Sequence, residues 1–62
     1  MFEVRIYRNS KWVDGGVFNT QKEMNGFIRE WKKETNRKIY DARFDICTYK
    51  NNEFVKSVEW SC

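Results

Sequence analysis

The chain has 62 residues, which is one domain near the lower size at which a fold stands without a disulfide or a metal. Twelve Lys and Arg against nine Asp and Glu leave a net charge of +3, short of the segregated basic excess of a dedicated nucleic-acid protein. Two cysteines and no histidine exclude the usual structural zinc sites, and no cofactor or metal is expected.

Met1 runs directly into Phe2-Glu3-Val4-Arg5-Ile6, with no apolar stretch resembling a signal peptide or a membrane span. These features predict a protein of a reducing cytoplasm, away from membranes, with Cys47 and Cys62 as free thiols. No repeat, linker or low-complexity tail stands out, so residues 1–62 read as one domain.

Phe2 to Arg8 alternates apolar and polar residues, with Phe2, Val4 and Ile6 on one face of a first strand. Asn9-Ser10 supplies a two-residue turn, because Asn tolerates positive φ and Ser is an acceptable second residue. A second strand then runs from Lys11 to Phe18. The expected register sets Ile6 against Val13, Val4 against Gly15 and Phe2 against Val17 on the buried side. Tyr7 against Trp12 and Arg5 against Asp14 form the other side, each such pair stabilising by roughly 0.2–1 kcal/mol. Gly15-Gly16 is the expected position of any bulge, which leaves the direction of Phe18 open.

Thr20-Gln21-Lys22-Glu23 reads as a capping box opening a helix. Met24, Phe27, Ile28 and Trp31 recur at helical spacing and Thr35 continues the stripe, with Asn36 as the expected left-handed end. Gly26 lies opposite that stripe, at a cost of about 1 kcal/mol relative to Ala. A third strand is expected over 39–49, with Tyr40, Ala42, Phe44 and Ile46 on one face. A fourth over 54–61 places Phe54, Val58 and Trp60 inward. A two-residue Asn51-Asn52 turn would oppose Phe44 to Glu59 and bury a charge. A three-residue loop, Asn51-Asn52-Glu53, instead opposes Phe44 to Trp60 and Ile46 to Val58, and is preferred. In that register Cys47 points outward and Cys62 inward, too far apart for a disulfide. The fold class is α+β: a small β-β-α-β-β domain, an antiparallel sheet of two hairpins with one helix packed on one face. The order of the hairpins within the sheet is left open.

Enzyme chemistry finds little support. Histidine is absent, Cys47 lacks a His partner, and so thin a sheet offers no deep cleft. Glu3, Asp14, Asp41, Asp45 and Glu59 read as a solvated face balanced by Arg5 and Arg43. The aromatic residues, 18% of the chain, do not all fit one core. Tyr7, Trp12 and Tyr49 fall on the sheet face away from the helix, with Tyr49 expected beside Val55. Exposed β-propensity alone could explain them. The functional reading is a protein interface in which Tyr7, Trp12 and Tyr49 are anchors and Arg5 and Arg43 orient the partner. A second copy of the chain is one partner that would cover this face, so both a monomer and a homodimer fit.

The helix carries an alternative site, a basic ridge of Lys22, Arg29 and Lys33 flanked by Lys32 and followed by Arg37 and Lys38, which could track nucleic-acid phosphates. Single-strand binders combine rings and cations in one groove, whereas here they lie on opposite sides. Open sheet edges offer a third mode, β-augmentation.

The segment FEVRIYRNSKWVDGGVFNTQKEMNGFIREW followed by a hairpin ending VEWSC resembles, in layout and across the whole chain, small accessory and anti-defence proteins of T-even-like bacteriophages, Dmd-like antitoxins among them. The resemblance implies binding and inhibition of a bacterial host protein, such as a toxin endoribonuclease or another defence or transcription component, in the host cytoplasm. It assigns no individual residue.

Overall fold

The computed structural model describes all 62 residues. Its elements in chain order are β1 (Phe2–Arg8), β2 (Lys11–Phe18), α1 (Gln21–Lys38), β3 (Arg43–Lys50) and β4 (Glu53–Ser61). The strands form one antiparallel sheet of order β2-β1-β3-β4, with α1 on one face, as the α+β expectation required. No helix is long and apolar enough to cross a membrane.

Both hairpins close with the same device. Asn9 and Ser10 have φ of 52° and 65°, and Asn51 and Asn52 have 51° and 67°. Two consecutive left-handed residues make a turn whose twist matches that of the strands. Each turn is followed by a one-residue bulge. In β1–β2, Tyr7 opposes Trp12 but Ile6 already opposes Asp14, so Val13 is the extra residue. In β3–β4, Tyr49 opposes Phe54 and Thr48 opposes Lys56, so Val55 is extra.

The bulges correct several expectations. Because Val13 rather than Gly15-Gly16 absorbs the irregularity, Val4 faces Gly16, Arg5 faces Gly15 and Phe2 faces Phe18. The expected pairing of Arg5 with Asp14 does not form. Val13 and Val17 are exposed instead of buried, while Phe18 turns inward onto Phe27 (ring centroids 5.2 Å). In the second hairpin Phe44 opposes Trp60 and Ile46 opposes Val58, as expected. The means differ: a two-residue turn plus a bulge shifts the register as far as a three-residue loop would. Phe54 therefore points outward against Tyr49, not inward, and Tyr49 is not paired with Val55.

The hairpins are also copies of one another, which corrects the reading that no repeat is present. Phe2-Glu3-Val4 to Trp12-Val13 recurs 42 positions later as Phe44-Asp45-Ile46 to Phe54-Val55, and Phe18 corresponds to Trp60. The pairing of β1 with β3 respects this repeat. Val4 opposes Thr48, Ile6 opposes Ile46, and Arg5 opposes Cys47, which is its own counterpart in the repeat. A pseudo-twofold axis thus passes through the sheet between Arg5 and Cys47. Even cation–π contacts obey it, with Arg8 lying 5.8 Å from the Phe44 ring and Lys50 5.8 Å from that of Phe2.

The helix breaks this symmetry. Thr20 caps it, its hydroxyl oxygen accepting from the Glu23 N–H (3.2 Å) and donating to the Glu23 carboxylate (3.0 Å). Asn36 stays helical; the end falls at extended Ile39, whose N–H donates to the Thr35 carbonyl, and the left-handed residue is Asp41. Tyr40 consequently lies outside any strand and is 91% exposed. The helix crosses the sheet along a diagonal. Phe27 packs on Phe18 at one corner, and Trp31 packs edge-on to Phe44 (4.9 Å) and Trp60 (5.5 Å) at the opposite corner. Val4, Ile6, Met24, Ala42, Phe44 and Ile46 form the buried core between them. Cys62 packs against this core with its thiol toward the Ile39 carbonyl (3.4 Å), and both cysteines are free.

Two glycines differ in consequence. A Cβ at Gly15 would collide with the Val4 carbonyl oxygen of the neighbouring strand, whereas one at Gly26 would meet only the Arg29 guanidinium tip at 3.9 Å. Gly26→Ala should therefore stabilise the fold by about 0.5–1 kcal/mol in urea unfolding. Gly15→Ala should destabilise it by more than about 1 kcal/mol. The opposite order would contradict the β1–β2 register.

Candidate protein-binding face

No element packs over the sheet face opposite the helix. Strand alternation sends Glu3, Arg5 and Tyr7 of β1 and Arg43, Asp45, Cys47 and Tyr49 of β3 to that side. Trp12 and Phe54 join them because each precedes its bulge. All five residues expected at the interface thus share one face, and Phe54 is added to them. Sequence reasoning missed Phe54, although its match to Trp12 in the repeated Tyr-basic-Asn-polar-x-aromatic-Val pattern was available to find it.

Arg5 occupies the centre, beside the pseudo-twofold axis. Its Nε donates to the Glu3 carboxylate at 2.9 Å, and its guanidinium lies 4.5 Å from the Tyr49 ring centroid. The hydrogen bond and charge of Glu3 raise its pKa beyond the usual arginine value, so the charge is permanent. An arginine held between a carboxylate and a ring has lost much of its rotamer freedom in advance, which lowers the entropic cost of using it in binding.

The rings do not form one cluster. Tyr7 opposes Asp45 and Tyr49 opposes Glu3, which separates the tyrosines by roughly 13 Å along the strands. Tyr49 and Phe54 meet edge-to-face at 5.7 Å. Tyr7 and Trp12 are neighbours by register, but the Trp12 indole runs toward Gly15, where an added Cβ would lie 3.3 Å from Nε1. The face therefore has two aromatic corners, led by Trp12 (61% exposed) and Phe54 (59%), around a charged centre. Arg43 lies at the Tyr7 end, 3.9 Å from Glu59 in an exposed ion pair worth under about 1 kcal/mol. Cys47 lies across from Arg5, its thiol 3.5 Å from the Ser57 hydroxyl.

The six helix cations are not one stripe. Lys22, Arg29 and Lys33 are exposed, as expected of an outward ridge. Lys32 is half-buried and turned to the Trp60 ring (5.8 Å), while Arg37 is bonded to Glu34 (3.2 Å) and Lys38 ends the helix. No group of three or more carboxylates, thiols or imidazoles converges anywhere. Comparisons with family models, with characterised proteins and with solved structures find no match to this chain.

Because Trp12 and Phe54 stand free of the core while Trp31 ties the helix to Phe44 and Trp60 of the β3–β4 hairpin, their truncations should separate cleanly. Trp12→Ala and Phe54→Ala should each change unfolding free energy by less than about 1 kcal/mol, and Trp31→Ala should cost roughly 3–5 kcal/mol. Chemical denaturation of the three variants measures this directly.

Proposed function

We propose that this chain acts without catalysis, as a binding protein that presents its open sheet face to a protein partner and inhibits or modulates it by occluding a surface. The partner class that the bacteriophage resemblance implies is a bacterial host protein, a toxin nuclease or another defence or transcription component. The observation that carries the binding reading is the pre-ordered Arg5, fixed by Glu3 and Tyr49 at the centre of a face with no covering layer. Tyr, Trp and Arg are the residues most often found to dominate interface energetics. The protein's broad side, 33 × 21 Å, is of the same order as the roughly 800 Å² per partner of a standard interface.

Nucleic-acid binding through the helix is supported less well, since its cations form no single stripe and Arg37 is bonded to Glu34. The two readings respond differently to salt. An affinity pull-down of the tagged chain from bacterial lysate, with and without nuclease, should retain one protein near stoichiometry at high salt. Trp12→Ala with Tyr7→Ala should weaken that capture at least tenfold, on the scale of a hot-spot pair. Arg29→Glu with Lys33→Glu should change it less than twofold. Recovery that collapses with nuclease or salt would move the function to the helix ridge.

A further inference from the structure

The inner face carries a second feature, which shares only Tyr49 with the open face. A diagonal helix leaves two corners of the sheet uncovered, one beneath each hairpin tip. Four strands about 4.8 Å apart are wider than one helix of about 10–12 Å with its side chains. The corner at the β3–β4 tip is a groove of about 550 Å³ between one side of α1 and the inner face of β4. Its helix wall is Gln21, Met24, Asn25, Ile28 and Lys32, a single ridge at helical spacing, and its floor includes Phe2, Ile46, Val55 and Val58.

Three of the lining residues are lysines (Lys32, Lys50 and Lys56) and none is acidic. The Nζ atoms of Lys32 and Lys50 lie 5.8 Å from the ring centroids of Trp60 and Phe2, which places both charges at the groove beside its apolar lining. The pseudo-twofold provides an internal control. At the other corner, the counterparts of Val55, Lys56 and Val58 are Val13, Asp14 and Gly16. That copy has lost a valine and exchanged a cation for an anion. Apolar surface and positive charge are thus both features of one corner. Val55 and Val58 remain 55% and 45% exposed in the groove.

We infer that this groove is the docking site for an acidic amphipathic helix of a partner protein, which completes the helix layer beside α1. The wall from Gln21 to Lys32 spans roughly 16 Å, the length of about three helical turns. An incoming helix with apolar residues at i, i+3, i+4 and i+7 would cover Val55, Val58 and Ile28, and carboxylates on its flanks would meet the three lysines. Two helices packed side by side on a four-stranded sheet fill the layer that one leaves half empty.

The test titrates the ¹⁵N-labelled full chain with a synthetic helix-forming peptide bearing Leu at those positions and Glu on the flanks. Control peptides carry Lys in place of every Glu, or the same residues in an order that destroys the periodicity. Saturable shifts centred on Ile28, Lys32, Val55 and Val58 are expected, with affinity reduced roughly tenfold or more by Lys32→Glu with Lys56→Glu. Val58→Ser, at an exposed position, should also weaken binding, and Trp12→Ala should leave it unchanged. Equal binding of either control peptide would overturn the inference, as would absence of saturation at millimolar peptide. Tighter occupancy of the same residues by dodecanoate would assign the groove to a small anionic amphiphile instead. Concentration-dependent shifts without peptide would assign it to a second copy of the chain.

Discussion

Trp31 packs edge-on against the paired rings of Phe44 and Trp60, and the remaining architecture depends on where that contact places the helix. Only eight of 62 residues are buried, so the core is a single layer with no reserve. With Phe27 on Phe18 at one corner and Trp31 at the other, one helix reaches both hairpins and holds two edge strands that otherwise pair on one side only. The diagonal also decides what remains open. It leaves the whole opposite face bare and, on its own face, a wedge beside the second hairpin.

The duplicated hairpin explains why so short a chain has so regular a sheet. Each copy brings its own turn, its own bulge and an inward aromatic pair, Phe2 with Phe18 and Phe44 with Trp60. The copies differ where binding is proposed. Arg5 corresponds to Cys47, so only one of two equivalent central positions carries the stacked guanidinium. Lys56 and Val58 correspond to Asp14 and Gly16, so only one corner becomes an apolar, cationic groove. Departures from the repeat mark the candidate sites.

What the sequence revealed follows the range of the interactions involved. The Thr20–Glu23 cap and the Met24-to-Thr35 stripe are local and could be read directly. The Ile46–Val58 register was also legible, since the competing register would have buried a charge. The bulges were not, because a three-residue loop and a tight turn plus bulge give the same alternation beyond them. The choice lies in Asn51-Asn52 and Asn9-Ser10 adopting paired left-handed conformations. The glycine pair drew the bulge to the wrong place, since Gly15 is needed for its close approach to the Val4 carbonyl. That Tyr7, Trp12, Tyr49, Arg5 and Arg43 face outward followed from alternation. Their division into two corners did not, because it depends on the pairing of β1 with β3, strands separated by the helix.

The account rests on the open sheet face being the surface that meets the partner. Hydroxyl-radical footprinting of the chain, free and bound to the protein it captures, reads side chains rather than backbone and so distinguishes the faces. Oxidation of Trp12, Phe54, Tyr7 and Tyr49 should fall together on binding, while that of Tyr40, exposed beyond the end of the helix, stays as it was. Unchanged oxidation of Trp12 and Phe54 in the complex would contradict the account.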